Sequence, residues 1–180
     1  FQFFTRNPRG GTAKKFDPED AAAYRKFAAN NGISAIVAHA SYTLNPAATD
    51  ERLKTFVRET DVDDLARLQH LPGALYNIQP GSRRTDDQRE AVKTVAAMLD
   101  SVIKPKQKTP FLLETMSGKG SEMGGSFEEL RSIIDASKRK KHLGVCLDTC
   151  HVFDAGYDIV NDLDGVLGHF DAVVGLDRLK

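Results

Sequence analysis

"GVCLD", Gly144 to Asp148, decides the fold: it is a short apolar run that stops at a carboxylate and is followed at once by "TCH", Thr149 to His151. Three earlier runs have the same form. "SAIVAH" (34–39) stops at His39, "ALYNIQ" (74–79) at Gln79 and "PFLLE" (110–114) at Glu114. The closing residues are 40, 35 and 34 positions apart, room for one strand, one loop and one helix each time. Near-continuous apolar runs of this length suit strands buried on both faces, as in a parallel sheet. A further apolar run, "FQFF", begins at Phe1.

Helical patterns fill the intervals. "FDPEDAAAYRKFAANNG" offers Asp17 as N-cap, Pro18 at the first helical position and Gly32 as a stop. The stretch 50–71 carries Leu53, Phe56, Val57, Leu65 and Leu68 at helical spacing, and 85–103 places Ala91, Val92, Val95, Ala96 and Leu99 on one stripe. "SFEELRSIIDASKRKK" opens with Ser126 and Glu129 in capping-box spacing and closes on basic residues suited to a negative helix end. One strand followed by four helix–strand units means an α/β fold with a parallel sheet.

An open doubly wound sheet and a (β/α)8 barrel both fit that order. Polar residues at the C-terminal ends of successive strands favour the barrel, whose active sites gather there. A whole barrel takes about 250 residues, so 180 residues supply about five strands. The expectation is a single incomplete domain over 1–180, a partial (β/α)8 TIM barrel of roughly strands 2 to 6.

Composition narrows the function classes. Hydrophobic residues make up 41% and charged residues 28%, and Lys+Arg equals Asp+Glu at 25 each. Bulk charge therefore attracts no polyanion, although a local basic face remains open. No run reaches membrane-span length and no secretory pattern opens the chain, so an intracellular, membrane-free location is expected. Two cysteines make no disulfide framework and point to a reducing compartment.

Within 144–158 three chemistries compete. Cys146 and Cys150 form C-x3-C, not the C-x-x-C of a thioredoxin-like redox pair. A Cys150 thiol with His151 has no aimed base, since adjacent residues do not point an imidazole at a thiol. Asp148 and His151 supply oxygen and imidazole, a set suited to zinc or manganese. The pair alone would pass as a strand-end cap with a satisfied histidine beside it; His39 and Glu114 at equivalent strand ends make a metal site the better reading. "SGKGSEMGG" (117–125) lacks P-loop spacing and reads as a flexible strand-to-helix loop on the active face. "SKRKK" and "KPKQK" read as solvated, and His70, His142 and His169 as surface or structural residues.

These stretches resemble the endonuclease IV family of zinc-dependent apurinic/apyrimidinic endonucleases. "GVCLDTCHVFDAGYD" is similar to a family signature, and "FFTRNPR", "AHASYTLN", "NIQPGS" and "LLETMSGKGSEMG" follow in family order over nearly the whole chain. The resemblance implies a TIM barrel with three zinc ions at its C-terminal face, and hydrolysis of the phosphodiester 5′ to an abasic site in double-stranded DNA during base excision repair. It implies His39, Glu114, Asp148 and His151 as metal ligands, Glu114 being the central carboxylate that bridges two zincs. Arg9 and Tyr42 match loop residues that enter DNA at the lesion. A monomer is expected for the whole family member. Gln79 stands where the family has a histidine ligand, and an amide is the poorer ligand, so a weakened first zinc is expected. The chain begins after the family's first strand and stops before its remaining ligands, so weakened catalysis and sticky open edges are expected of it. A non-catalytic abasic-DNA-binding module and a divalent-metal sugar isomerase or epimerase are the alternatives; Arg9 and Tyr42 weigh against the sugar reading.

Overall fold

The computed structural model describes residues 1–180 and contains five strands in one sheet. They are β1 (Gln2–Phe4), β2 (Ile36–His39), β3 (Ala74–Ile78), β4 (Phe111–Glu114) and β5 (Leu143–Cys146). The helices between them are α1 (Pro18–Asn30), α2 (Glu51–Leu68), α3 (Gln88–Val102) and α4 (Phe127–Ala136). After β5 come a short α5 (Thr149–Asp154) and α6 (Leu163–Val173).

Sheet order is β1-β2-β3-β4-β5 and every neighbouring pair is parallel. A doubly wound sheet reverses its strand order at a switch point. This sheet never reverses, and α2, α3, α4 and α6 pack side by side in sequence. The architecture is therefore α/β, a partial TIM barrel. Beyond β5, Leu179 makes an isolated parallel bridge to Val145, and the Lys180 amide donates to the Val145 carbonyl at 3.1 Å.

Local sequence explains most element ends. Asp17 caps α1 by accepting from the Glu19 amide at 2.9 Å, with Pro18 in the first turn; Gly32, at φ 66°, follows the helix end. Asp50 and Asp87 cap α2 and α3 in the same way. The whole expected stripe of α3 is buried. In α2, Val57, Leu65 and Leu68 are buried, but Leu53 is 45% exposed. The inward face of α2 turns polar instead, through Thr60, Asp61 and Asp64. At α4 half of the capping box forms: Ser126 Oγ accepts from the Glu129 amide at 3.2 Å, while the Glu129 carboxylate takes the Gly124 amide.

The basic run after α4 does not lie against the helix end as expected. The helix stops at Ala136, and Ser137 is buried with its hydroxyl donating to Asp100 at 2.6 Å. Arg139 Nε donates to the Ile103 carbonyl at 3.0 Å, drawing the run toward the loop before β4.

Strand register sets two faces. Pairing aligns Phe4, His39, Asn77, Leu112 and Gly144 on one level, and Glu114 with Cys146 two residues further along. Paired residues of a parallel sheet share a face, and side chains alternate along each strand. The intervening residues, among them Tyr76, Phe111, Leu113 and Val145, join the apolar core with α2, α3 and α4. Burial of each such large apolar side chain contributes about 1.5–3 kcal/mol.

Candidate metal centre

His39 is the last residue of β2 and Glu114 the last of β4, so strand ends bring both to the C-terminal edge of the sheet. Asp148 lies two residues beyond β5 and is the N-cap of α5. Its Oδ1 accepts from the His151 amide at 2.9 Å, which fixes the first turn and sets His151 beside the strand end. Thr115 ties the two strand ends together: its hydroxyl oxygen accepts from the Asp148 amide at 2.8 Å, and its carbonyl accepts from His151 Nδ1 at 2.9 Å.

Ligand atoms of Glu114, Asp148 and His151 lie within 4.8 Å of one another. Glu114 is 5% exposed, and Asp148 and His151 are half-buried. Glu114 Oε1 is 3.5 Å from His151 Nδ1. Its Oε2 takes His39 Nε2 at 3.0 Å and the Asn77 amide at 3.1 Å. A carbonyl only accepts, so His151 donates Nδ1–H to Thr115 and keeps Nε2 for a ligand. His39 donates Nδ1–H to the Ala40 carbonyl at 2.6 Å and, as an imidazolium, Nε2–H to Glu114. Burial opposes a charge on His39, but the hydrogen bonds to Glu114 and Ala40 outweigh it and raise its pKa.

Two carboxylates and an imidazole within this span suit a divalent ion, with a second imidazole, His39, on the same glutamate. Zinc and manganese match that donor set, and a buried carboxylate such as Glu114, with no basic partner other than histidine, is costly unless a cation joins it. The residues present therefore fit a metal.

Gln79 follows β3, is half-buried, and its side chain makes no hydrogen bond. Cys146 is half-buried at the end of β5, not wholly in the core; burial, then Glu114 and Asp148, push its thiol up to about 11. A thiol held protonated at neutral pH is no nucleophile. Cys150 is exposed and both cysteines are free.

Arg9 and Tyr42 lie on adjacent loops. The Tyr42 amide donates to the Pro8 carbonyl at 2.9 Å, and the Ser41 hydroxyl reaches the same carbonyl at 3.0 Å. Arg9 is exposed and its guanidinium has no partner in the chain. Tyr42 is 52% exposed, yet its ring centroid is 5.1 Å from that of His39. Tyr42 thus reaches from solvent to the metal group.

The glycine-rich loop between β4 and α4 is pinned, not free. Glu122 Oε2 accepts from Ser117 Oγ at 2.7 Å and from the Gly118 amide at 3.0 Å, and the Met123 amide donates to Gly81 at 2.8 Å. Gly81 has φ 93°, and a Cβ there would meet Asn45 Oδ1 at 2.1 Å, so only glycine serves. Asn45 uses that approach to accept from the Ser82 amide and donate to its carbonyl, both at 3.0 Å. The lysine runs precede β4 and β5, at the opposite sheet end from the metal group. His70 packs against Phe16 with its ring tilted, His142 contacts the Pro105 carbonyl and His169 pairs with Glu128, all structural roles.

Sequence reasoning missed Asn77, Thr115 and Ser41. The signal for Asn77 was present, an amide inside the apolar run "ALYNI".

A family model described as a xylose isomerase-like TIM barrel matches residues 1–180. A probable endonuclease 4 from Akkermansia muciniphila is 53% identical over 180 residues, with 100% of this chain and 65% of that protein covered. Another from Alkaliphilus oremlandii is 52% identical over 179 residues, covering 99% and 64%. The crystal structure of endonuclease IV from Thermus thermophilus matches with TM-score 0.84 and 32% identity, over 99% of this chain and 63% of that one. A D-psicose 3-epimerase from Clostridium cellulolyticum, at 17% identity and TM-score 0.69, covers 88% of this chain and 56% of that one and shares the fold alone. The chain spans about 65% of the length of the curated relatives it matches. It belongs to the AP endonuclease 2 family of xylose isomerase-like TIM barrels.

Proposed function

We propose that this chain is an incomplete TIM-barrel domain over 1–180 from a zinc-dependent endonuclease that hydrolyses double-stranded DNA 5′ to an abasic site in base excision repair. The observation that carries the reading is the Glu114, Asp148 and His151 group on the C-terminal strand ends, with His39 on the same glutamate. The similarity to proteins named endonuclease 4 supports it.

In this reading His39, Glu114, Asp148 and His151 hold zinc, with Glu114 the central, catalytic ligand. Divalent ions held by these residues would supply Lewis acidity, neutralising phosphate charge and lowering the pKa of water. The chain's own residues do the rest. Thr115 fixes the His151 ring by accepting from Nδ1. Arg9 presents a cation with no internal partner to the DNA, and Tyr42 presents a ring beside His39 that can fill the space of a missing base. An abasic nucleotide leaves the stack at little cost, which favours the lesion over intact sequence. Location inside the cell and a monomeric whole protein accord with this substrate.

The test is incision of a duplex bearing one abasic site, with zinc content measured on the same samples, for this chain, for a longer form matching its relatives, and for Gln79→His in each. Incision by the longer form, raised in rate and zinc content by Gln79→His, is the expected result. A second reading, a non-catalytic module that binds abasic DNA, is favoured by Gln79, an amide and so a poorer zinc ligand than the imidazole expected at that position. Binding without incision in every form would establish that reading, and no preference for abasic DNA would end both.

A further inference from the structure

Asn77 is a polar side chain in the middle of an apolar strand, and it is 0% exposed. Its Nδ2 donates to Glu114 Oε2 at 3.1 Å, while its Oδ1 is buried with no hydrogen-bond partner. An unpartnered buried carbonyl oxygen costs about 1–3 kcal/mol. Packing alone would favour leucine here, so the amide has another use; local rules are broken in this way at functional sites.

That use is legible in the two oxygens of Glu114. Oε2 takes both donors, His39 Nε2 at 3.0 Å and Asn77 Nδ2 at 3.1 Å. Oε1 is left facing His151, 3.5 Å from its Nδ1. The carboxylate cannot turn without giving up two hydrogen bonds. The two donors are not equivalent: His39 must withdraw its Nε2 from Glu114 to give it to a metal ion, whereas the Asn77 amide has no other employment.

We propose that Asn77 is a positioning residue that holds Glu114 Oε2, keeping Oε1 turned toward Asp148 and His151 in readiness for a divalent ion. This rests on the reading of Glu114 as a metal ligand. Residues that orient metal ligands alter metal affinity by about 10–100-fold when removed, and that is the effect expected here. The partnership also explains why a strand otherwise built of Ala, Leu, Tyr and Ile carries an amide at the level of His39.

The test is zinc titration of the chain against a chromophoric chelator, paired with thermal melting of the metal-free form. Asn77→Leu, matched in shape, is expected to lower zinc affinity at least tenfold while the metal-free melting temperature stays equal or rises, because the unpartnered oxygen is removed. Asn77→Ser, too short to reach Glu114, is expected to show the same loss and serves if the leucine variant does not fold. A purely structural Asn77 would give the reverse, a lower melting temperature with zinc affinity within twofold of the parent, and would overturn the proposal. Glu114→Gln separates the two levels: if it too leaves zinc affinity unchanged, the metal-site reading itself fails. If Glu114→Gln weakens zinc and neither Asn77 variant does, only the positioning role is lost.

Discussion

Asp148 caps a helix, and the same carboxylate is the one proposed to hold a metal ion. Its Oδ1 caps α5 through the His151 amide, and the same group belongs to the metal cluster. The two roles separate by substitution. Asp148→Asn keeps an acceptor for the cap and is expected to leave stability within about 0.5 kcal/mol, since Asn and Asp are near-equal caps. It removes the anionic ligand, and zinc affinity is expected to fall by tenfold or more. Asp148→Ala loses both, with a further cost of about 1 kcal/mol for the cap. Chemical denaturation with zinc titration on both variants checks this; equal stability of the two would show that the cap contributes nothing. The nearness of Asp148 to Glu114 and His151 was legible from its place at a strand end. Its role as a cap was legible too; the two readings were set against each other as alternatives, and the structure shows the cap while leaving the same carboxylate beside Glu114 and His151.

Loops and strands carry the next level. Arg6 uses its whole guanidinium at the end of β1: Nε and Nη2 donate to Asp64 at 3.0 and 2.8 Å, Nη2 to Asp63 at 2.7 Å, and Nη1 to the Gly11 carbonyl at 2.7 Å. The loop that bears Arg9 is thus stapled to α2 on one side. Ser41 holds its other side through the Pro8 and Gly10 carbonyls, at 3.0 and 3.3 Å. Removing one member of a buried ion pair strands the other, at about 3–5 kcal/mol. The Arg6 side chain is 5% exposed and Asp64 0%, so Arg6→Gln is expected to cost that much in urea unfolding. Ser41→Ala is expected to cost about 1 kcal/mol and to weaken DNA binding only while Arg9 is present. A double-mutant cycle with Arg9→Ala checks the coupling; strictly additive effects would show that the two loops act separately. None of this was visible in the sequence, where Asp61 and Asp64 interrupt the α2 stripe without saying what they meet. Their partners come from the loop after β1 and from β3, and a helical pattern records only which face is inward, not which distant residue waits there.

The whole molecule adds a consequence of stacking these elements, in how its stability varies with pH. Strand order and parallel pairing were legible because each apolar run is short, buried and closed by a polar residue. The polar seam between sheet and α2 was not, because it depends on Tyr76 of β3 reaching across to α2. Its hydroxyl lies 2.8 Å from Asp61 Oδ1 and 2.9 Å from Asp64 Oδ2. A phenol has one proton to give, so the second contact needs a proton from a carboxyl group. Complete burial, aided by the nearby Asp64, pushes Asp61 up to about 8 despite the opposing Tyr76 and Arg6, and it is Asp61 that carries this proton at neutral pH. In the unfolded chain an aspartate titrates near 3.9. Between about pH 4 and about pH 8 the folded state therefore holds one proton that the unfolded state has released. Stability from this group is full below that window and declines as pH rises, by up to about 1.4 kcal/mol per pH unit, with no further change once both states are ionised. Asp61→Asn retains a donor toward Tyr76 and has nothing to titrate. Its stability relative to the parent is expected to rise steadily from pH 5 to pH 8 in urea unfolding; parallel curves for the two proteins would show that Asp61 is ionised in the folded state throughout.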